Sequence, residues 1–224
     1  MNSTYDVTTR RIHFLGLARE VVSDAYYHLP RVMAVSFVWF LLASTVVLAA
    51  PATAVAFAAG RSILDHEPFD VRTAGRAFRC YFWRAQAAFV PAFLLVNAAA
   101  WFWLRATATG DILLTVLAFL AVDALVVYGI LLLYYGPLLV DKGLRHAVLV
   151  EDLSDHRPTA ADLVRASATV AVSRVRVSVA LGLFVVSMGI LLAFTTVGFV
   201  VLAPVLLSAT LIQATRYLTG ASTN

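Results

Sequence analysis

Residues 112–140 read ILLTVLAFLAVDALVVYGILLLYYGPLLV, 29 positions with a single charge, Asp123. At 1.5 Å per residue such a run makes a helix of roughly 43 Å, longer than the ~30 Å of hydrocarbon in a bilayer. The rest of the chain has the same character: 61% of its 224 residues are hydrophobic and 13% charged, against about half and a quarter in a soluble domain. A single domain of this length has too little interior to hide that much apolar surface from water, whereas lipid covers it from outside. The sequence therefore predicts an all-α polytopic transmembrane helical bundle, with 1–224 as one integral membrane domain and the lipid bilayer as its first partner.

Three further uncharged runs flank this one, at 32–60, 85–104 and 177–215. The last would span roughly 58 Å as one helix and should fold into two spans, with Thr195-Thr196-Val197-Gly198 as the turn. The first is either one tilted helix or a hairpin broken at Ala50-Pro51-Ala52-Thr53, where proline favours a helix start at Pro51. Charge decides between them. With a hairpin, sixteen of the seventeen Lys and Arg residues fall on one side and only Arg105 on the other; with a single span the division is twelve to five. The positive-inside rule selects six spans in three hairpins (32–60, 85–140 and 177–215), both termini cytoplasmic, in the plasma membrane. Five spans is the alternative. The arms of the first hairpin average under 15 residues, which leaves open a second arm of partial depth.

Three inner segments connect the hairpins. Within 1–31, residues 14–29 place Phe14, Leu17, Val21 and Ala25 on one helical face and Arg19, Glu20 and Asp24 on the other, an amphipathic helix suited to the interface. The polar residues before the first run do not resemble a cleavable signal. In 61–84, Asp70 can cap a helix that gathers Arg72, Arg76 and Arg79 opposite Ala74, Ala77, Phe78, Tyr81 and Phe82. That stripe reads as an anchor on anionic headgroups or as a surface for a partner or phosphate. In 141–176, Thr159-Ala160-Ala161-Asp162 forms a capping-box pattern at a helix start, while Glu151, Asp152, Asp155 and His156 read as a solvated turn.

Catalytic signatures are missing from this sequence. Cys80 is the sole cysteine, and His13, His28, His66, His146 and His156 show no metal-ligand spacing. With no nucleophile beside a base, no paired carboxylates and no phosphate-cradling glycine loop, the chain does not read as an enzyme. No cofactor, metal or nucleic acid is expected. Ionisable groups inside apolar runs are costly, so Asp123 is the default functional candidate, with Asn97 and Tyr128 as neighbours in an intramembrane polar site. The plainer reading of Asp123 is an interhelical hydrogen bond. Gln86 and Gln213 read as interfacial, and Trp83, Trp101, Trp103, Tyr134 and Tyr135 as aromatic belts.

One stretch resembles a known family. Trp39, then Pro51-Ala52-Thr53-Ala54 followed by Arg61, then Phe78-Arg79-Cys80-Tyr81-Phe82-Trp83-Arg84, resemble the YesL-like domain of bacterial and archaeal integral membrane proteins of unknown function, with Ser36 in place of that family's usual Asn. The resemblance implies a genomic context of carbohydrate uptake and, as a membrane partner, an ABC-type sugar permease. Two functions are expected from the whole reading. One is a non-catalytic accessory or assembly component; the alternative is a small-solute transporter or channel with Asp123 in its path.

Overall fold

The structure is a computed structural model that describes Ser23 and residues 26–148, 159–194 and 202–220. These residues form eight helices and no strand: α1 Leu29–Ala43, α2 Val46–Leu64, α3 Val71–Thr109, α4 Ile112–Val140, α5 Lys142–Val148, α6 Ala160–Ser173, α7 Val175–Phe194 and α8 Ala203–Thr219. Three of them, α2, α3 and α4, are long and apolar enough to cross a membrane, and the pair α6–α7, bent by 104°, would add a fourth as a broken span. The N-terminal amphipathic helix expected at 14–29, the acidic turn at 151–156 and the Thr195 to Gly198 turn all fall largely or wholly outside the described residues.

The first run does split into two helices, but the break lies at Ser44 and Thr45, not at Ala50 to Thr53. Both hydroxyls turn back onto α1, Ser44 Oγ to the Leu41 carbonyl and Thr45 Oγ1 to that of Leu42, each at 2.7 Å. Short hydroxyl side chains that bond their own backbone in this way compete with helix continuation, so the chain stops there. Pro51 sits inside α2. A proline in that position strips the carbonyl four residues earlier of its amide partner, and here Gln86 Nε2 of α3 donates to that same Val47 oxygen. Gln86 lies beside the first turn of α2, the end away from Arg61.

The second correction concerns α3. The expected cytoplasmic segment 61–84 and the expected span from 85 are not separate elements, because Asp70 caps one continuous helix of 39 residues, its carboxylate accepting from Thr73 N at 2.7 Å. At roughly 58 Å, α3 is nearly twice as long as hydrocarbon is thick. Its first half packs on α2, with Ala50, Ala54, Phe57, Ala85 and Ala88 in one cluster. The second half leaves α2 behind and pairs with α4: the Trp103 and Phe119 rings meet edge-on at 6.0 Å, and Tyr128 OH donates to the Ala88 carbonyl at 2.8 Å. Ala99, Ala106 and Ala118 are the buried residues of this arm, whereas Val90, Phe93, Leu94, Trp101, Leu113 and Leu120 are exposed. Small side chains let the two backbones approach while the large apolar ones point outward, the pattern of a hairpin that lipid covers.

At the other end α8 is the central helix. Val205, Leu206 and Ala209 pack against Val32, Ala59 and Ile63, and Leu211, Ile212 and Leu218 join the α4 cluster. A Cβ built on Gly60 would lie 2.9 Å from Ala209 N, so glycine is what permits α2 and α8 to meet backbone to backbone. The capping box at α6 forms as the sequence predicts: Asp162 Oδ2 accepts from Thr159 N at 2.8 Å, and Thr159 Oγ1 accepts from Asp162 N at 3.3 Å.

Candidate functional site

The described charges converge where α2, α4 and α8 come together. Asp65 follows the last turn of α2 and Asp141 the last turn of α4, so each carboxylate stands where its helix has just ended. Arg216 on α8 reaches both. Its Nε donates to Asp141 Oδ2 at 2.6 Å, and its two terminal nitrogens donate to Asp65 at 2.7 and 3.2 Å. The second oxygen of Asp141 accepts from Gly143 N at 2.9 Å and so caps α5. Arg61 completes the network, with Nε on Asp65 at 3.0 Å and a terminal nitrogen on the Val140 carbonyl at 3.1 Å. Two arginines therefore occupy two carboxylates and one of the carbonyls that a helix end leaves free.

Burial makes this arrangement consequential. The Arg216 and Asp141 side chains are 9% and 5% exposed, and charges so far from water persist only when paired and hydrogen-bonded. Burial alone would raise the Asp65 carboxyl, but the hydrogen bonds and charges of Arg216 and Arg61 outweigh it and hold Asp65 below its ordinary 3.8. Nearby, Arg145 on α5 is pushed below its ordinary value, first by burial and then by the crowding of Arg84 and Arg61, an effect that Tyr81 and Asp141 oppose.

A cavity of about 420 Å³ opens beside the network, between the end of α2, the start of α3 and the α4–α5 junction. Arg61, Arg76 and Lys142 bring three cations to its wall and Glu67 one carboxylate; Ser62, Thr73, Cys80 and Tyr81 add polar atoms. Among the described residues neither Arg76 nor Lys142 has an ion-pair partner. The arginine stripe read from the sequence thus divides, Arg76 lining the cavity while Arg72 and Arg79 are exposed on α3.

The residues proposed as an intramembrane polar site form no hydrogen-bonded group among the described residues. Asn97 Nδ2 donates to the Phe93 carbonyl of its own helix at 2.7 Å, and Tyr128 serves the Ala88 carbonyl. Asp123 is exposed on α4, and among the described residues no hydrogen bond joins the three. The residues that carried the family resemblance make separate contacts. Trp39 Nε1 donates to Thr53 Oγ1 at 3.1 Å, Thr53 bonds back to the Ala49 carbonyl, Phe78 and Phe82 rings lie 5.7 Å apart, and the Arg84 carbonyl accepts from Tyr135 OH at 2.7 Å. Pro51 lies near the start of α2 and Arg61 in its last turn.

Asp65, Asp141 and Arg216 escaped sequence reasoning because each lies beside an apolar run and resembles an ordinary flanking charge. The one available signal was that Arg216 and Asp141 both directly abut such runs, where a pair of opposite sign can be drawn inward. Among the described residues no group of three or more His, Cys, Asp or Glu side chains could hold a metal ion. No family model matches the chain, and neither a curated protein nor a solved structure shows significant similarity to it.

Proposed function

We propose that this protein is a membrane-embedded, non-catalytic accessory or assembly component that works through its helical surfaces. The observation that carries this reading is that the polar groups of the α3–α4 arm are not hydrogen-bonded to one another among the described residues. A transporter needs polar groups converging on a midplane site, but Asn97 and Tyr128 serve nearby backbone carbonyls and Asp123 faces outward. The cavity between α2, α3 and α4, about 130 Å³, is walled mainly by Ala50, Ala54, Phe57, Ala88 and Leu139, and the two hydroxyls in its lining, Thr53 and Tyr135, are already bonded to the Ala49 and Arg84 carbonyls. A carboxylate facing lipid is costly by itself and is relieved by a helix that brings it a donor. That favours a membrane partner, and the resemblance to YesL-like proteins points to an ABC-type sugar permease.

The proposed topology is six membrane-entering helices in three hairpins, both termini cytoplasmic in the plasma membrane, with the first hairpin reaching only part-way into the bilayer. Purification in mild detergent, with identification of co-purifying membrane proteins, tests the accessory role alongside solute flux into liposomes that contain the protein alone. Recovery of a permease that Asp123→Asn releases is the expected result. Flux that Asp123→Asn abolishes, with no partner recovered, overturns it in favour of the transporter.

A further inference from the structure

The cavity at the end of α2 has chemistry that the accessory reading does not use. Arg61 is paired with Asp65, which leaves Arg76 and Lys142 against the single carboxylate of Glu67 on the wall, an excess of one positive charge. Of the acids nearby, Asp65 is held by Arg216 and Arg61, Asp141 by Arg216 and the α5 amide, and Asp70, near enough to feel the Arg76 charge, caps α3 through Thr73 N. Arg61 is itself fixed by Asp65 and the Val140 carbonyl, so its guanidinium is pre-oriented at the wall. Arg76 and Lys142 are exposed and remain to be paired. The lining also has an apolar part, made by Ala58, Phe69, Ala77 and Val140.

We propose that this cavity binds a phosphate-bearing anion, with Arg61, Arg76 and Lys142 on the phosphate and the apolar wall against the carbon skeleton esterified to it. Phosphate fits because it offers up to two charges and several acceptor oxygens in the fork geometry a guanidinium matches. The volume, about 420 Å³, also exceeds what a bare carboxylate or chloride fills and lies in the range of small-molecule sites. The phosphate can belong to a lipid headgroup or to a soluble ester, and the chemistry of recognition is the same for both.

Cys80, the only cysteine in the chain, is exposed and lines this cavity, so its thiol reports on occupancy without mutation. The full chain is held in maltoside micelles, which carry no phosphate, and the rate of Cys80 modification by N-ethylmaleimide is measured in two arms. One adds inorganic phosphate against chloride at matched ionic strength; the other adds phosphatidylglycerol against a phosphate-free monoacylglycerol. Slowing by about threefold or more is expected in at least one arm, and the arm that responds identifies the source. Each protein is compared with its own unliganded rate. The double variant Arg76→Ala/Lys142→Ala should lose the protection, whereas Arg72→Ala/Arg79→Ala, which removes equal charge from the exposed stripe of α3, should keep it. Thermal midpoints measured in parallel give a second readout: the ligand that protects should raise the wild-type midpoint and leave that of Arg76→Ala/Lys142→Ala unmoved. Unchanged rates in both arms overturn the proposal, as does protection that survives in the cavity variant or vanishes equally in the stripe variant.

Discussion

Arg216 shows how much a single side chain can carry in this fold. It pairs with two carboxylates at the ends of two different helices, and almost none of it is exposed to solvent. Removing one member of a buried pair leaves the other charged and unsolvated, which costs about 3–5 kcal/mol. Arg216→Ala should therefore lower stability by that order in a denaturant titration, and Arg216→Lys should recover only part of it, since one ammonium cannot reproduce the forked contacts to Asp65 and Asp141. The pH dependence follows from Asp65, whose folded value is depressed below 3.8. A depressed carboxyl contributes stability that is fully present above its unfolded value and is lost as pH falls through the folded one. The thermal midpoint should be insensitive to this group between about pH 5 and 8 and should drop on acidification below 3.8. In Asp65→Asn the midpoint at neutral pH should be lower and the acid-side drop smaller; an unchanged acid-side drop would show that Asp65 does not contribute. Ser36 is the opposite case, a fully buried hydroxyl with no hydrogen-bond partner among the described residues. Ser36→Ala should be neutral or stabilising by about 1 kcal/mol, since it deletes an unsatisfied group and little volume.

At the scale of elements, α2 survives a proline because α3 compensates for it. Pro51 cannot donate to the Val47 carbonyl, and Gln86 of α3 does so instead. The two side chains should be energetically coupled. Gln86→Leu should cost about 1 kcal/mol in the wild type and close to nothing in a Pro51→Ala background, where the restored amide serves Val47. Additive losses in that cycle would mean that Gln86 acts through packing alone. Gly60 sets the other limit on α2: a methyl there would press on the Ala209 backbone, which cannot yield as a flexible side chain can, so Gly60→Ala should destabilise by about 1–3 kcal/mol. These contacts mark what the sequence could and could not reveal. Apolar run length located α4 and the second half of α3, and the Thr159–Asp162 spacing located the start of α6, because local periodicity and capping determine such features. The break at Ser44 was missed because proline is the stronger local punctuation, and its cost was cancelled by a residue 39 positions away from the carbonyl it frees. The ionic network was missed for a related reason: Asp65, Asp141 and Arg216 meet only through tertiary packing, which leaves no spacing to read.

For the whole molecule, length settles where lipid can lie. The α1–α2 turn at Ser44 and Thr45 stands beside Gln86, and α3 runs 23 residues further to Thr109, roughly 34 Å of helix. Hydrocarbon about 30 Å thick can cover the arm beyond Gln86 or the α2-flanked portion before it, not both at full depth. The arm takes precedence, because it exposes Val90, Phe93, Leu94, Trp101, Trp103, Leu113 and Leu120, at about 1.5–3 kcal/mol for each side chain left in water. The arginines agree, since Arg72, Arg76, Arg79 and Arg84 all precede Gln86 and only Arg105 follows it. In the proposed topology the α1–α2 hairpin approaches from the charged side, and its turn reaches no deeper than the level of Gln86, well short of the far surface. A hairpin of that kind leaves both of its ends on one side, which is what the proposed sixteen-to-one charge division requires. The prediction concerns accessibility in intact cells. In a Cys80→Ser background, cysteine placed at Ser44 should resist a membrane-impermeant maleimide applied from outside. Cysteine at Gly110, whose positive φ of 68° closes α3 and which a non-glycine residue occupies at a cost of about 1 kcal/mol, is replaced by one at the adjacent Thr109, which should be labelled. Labelling at Ser44 equal to that at Thr109 would place both turns at the outer surface and give the first hairpin full depth.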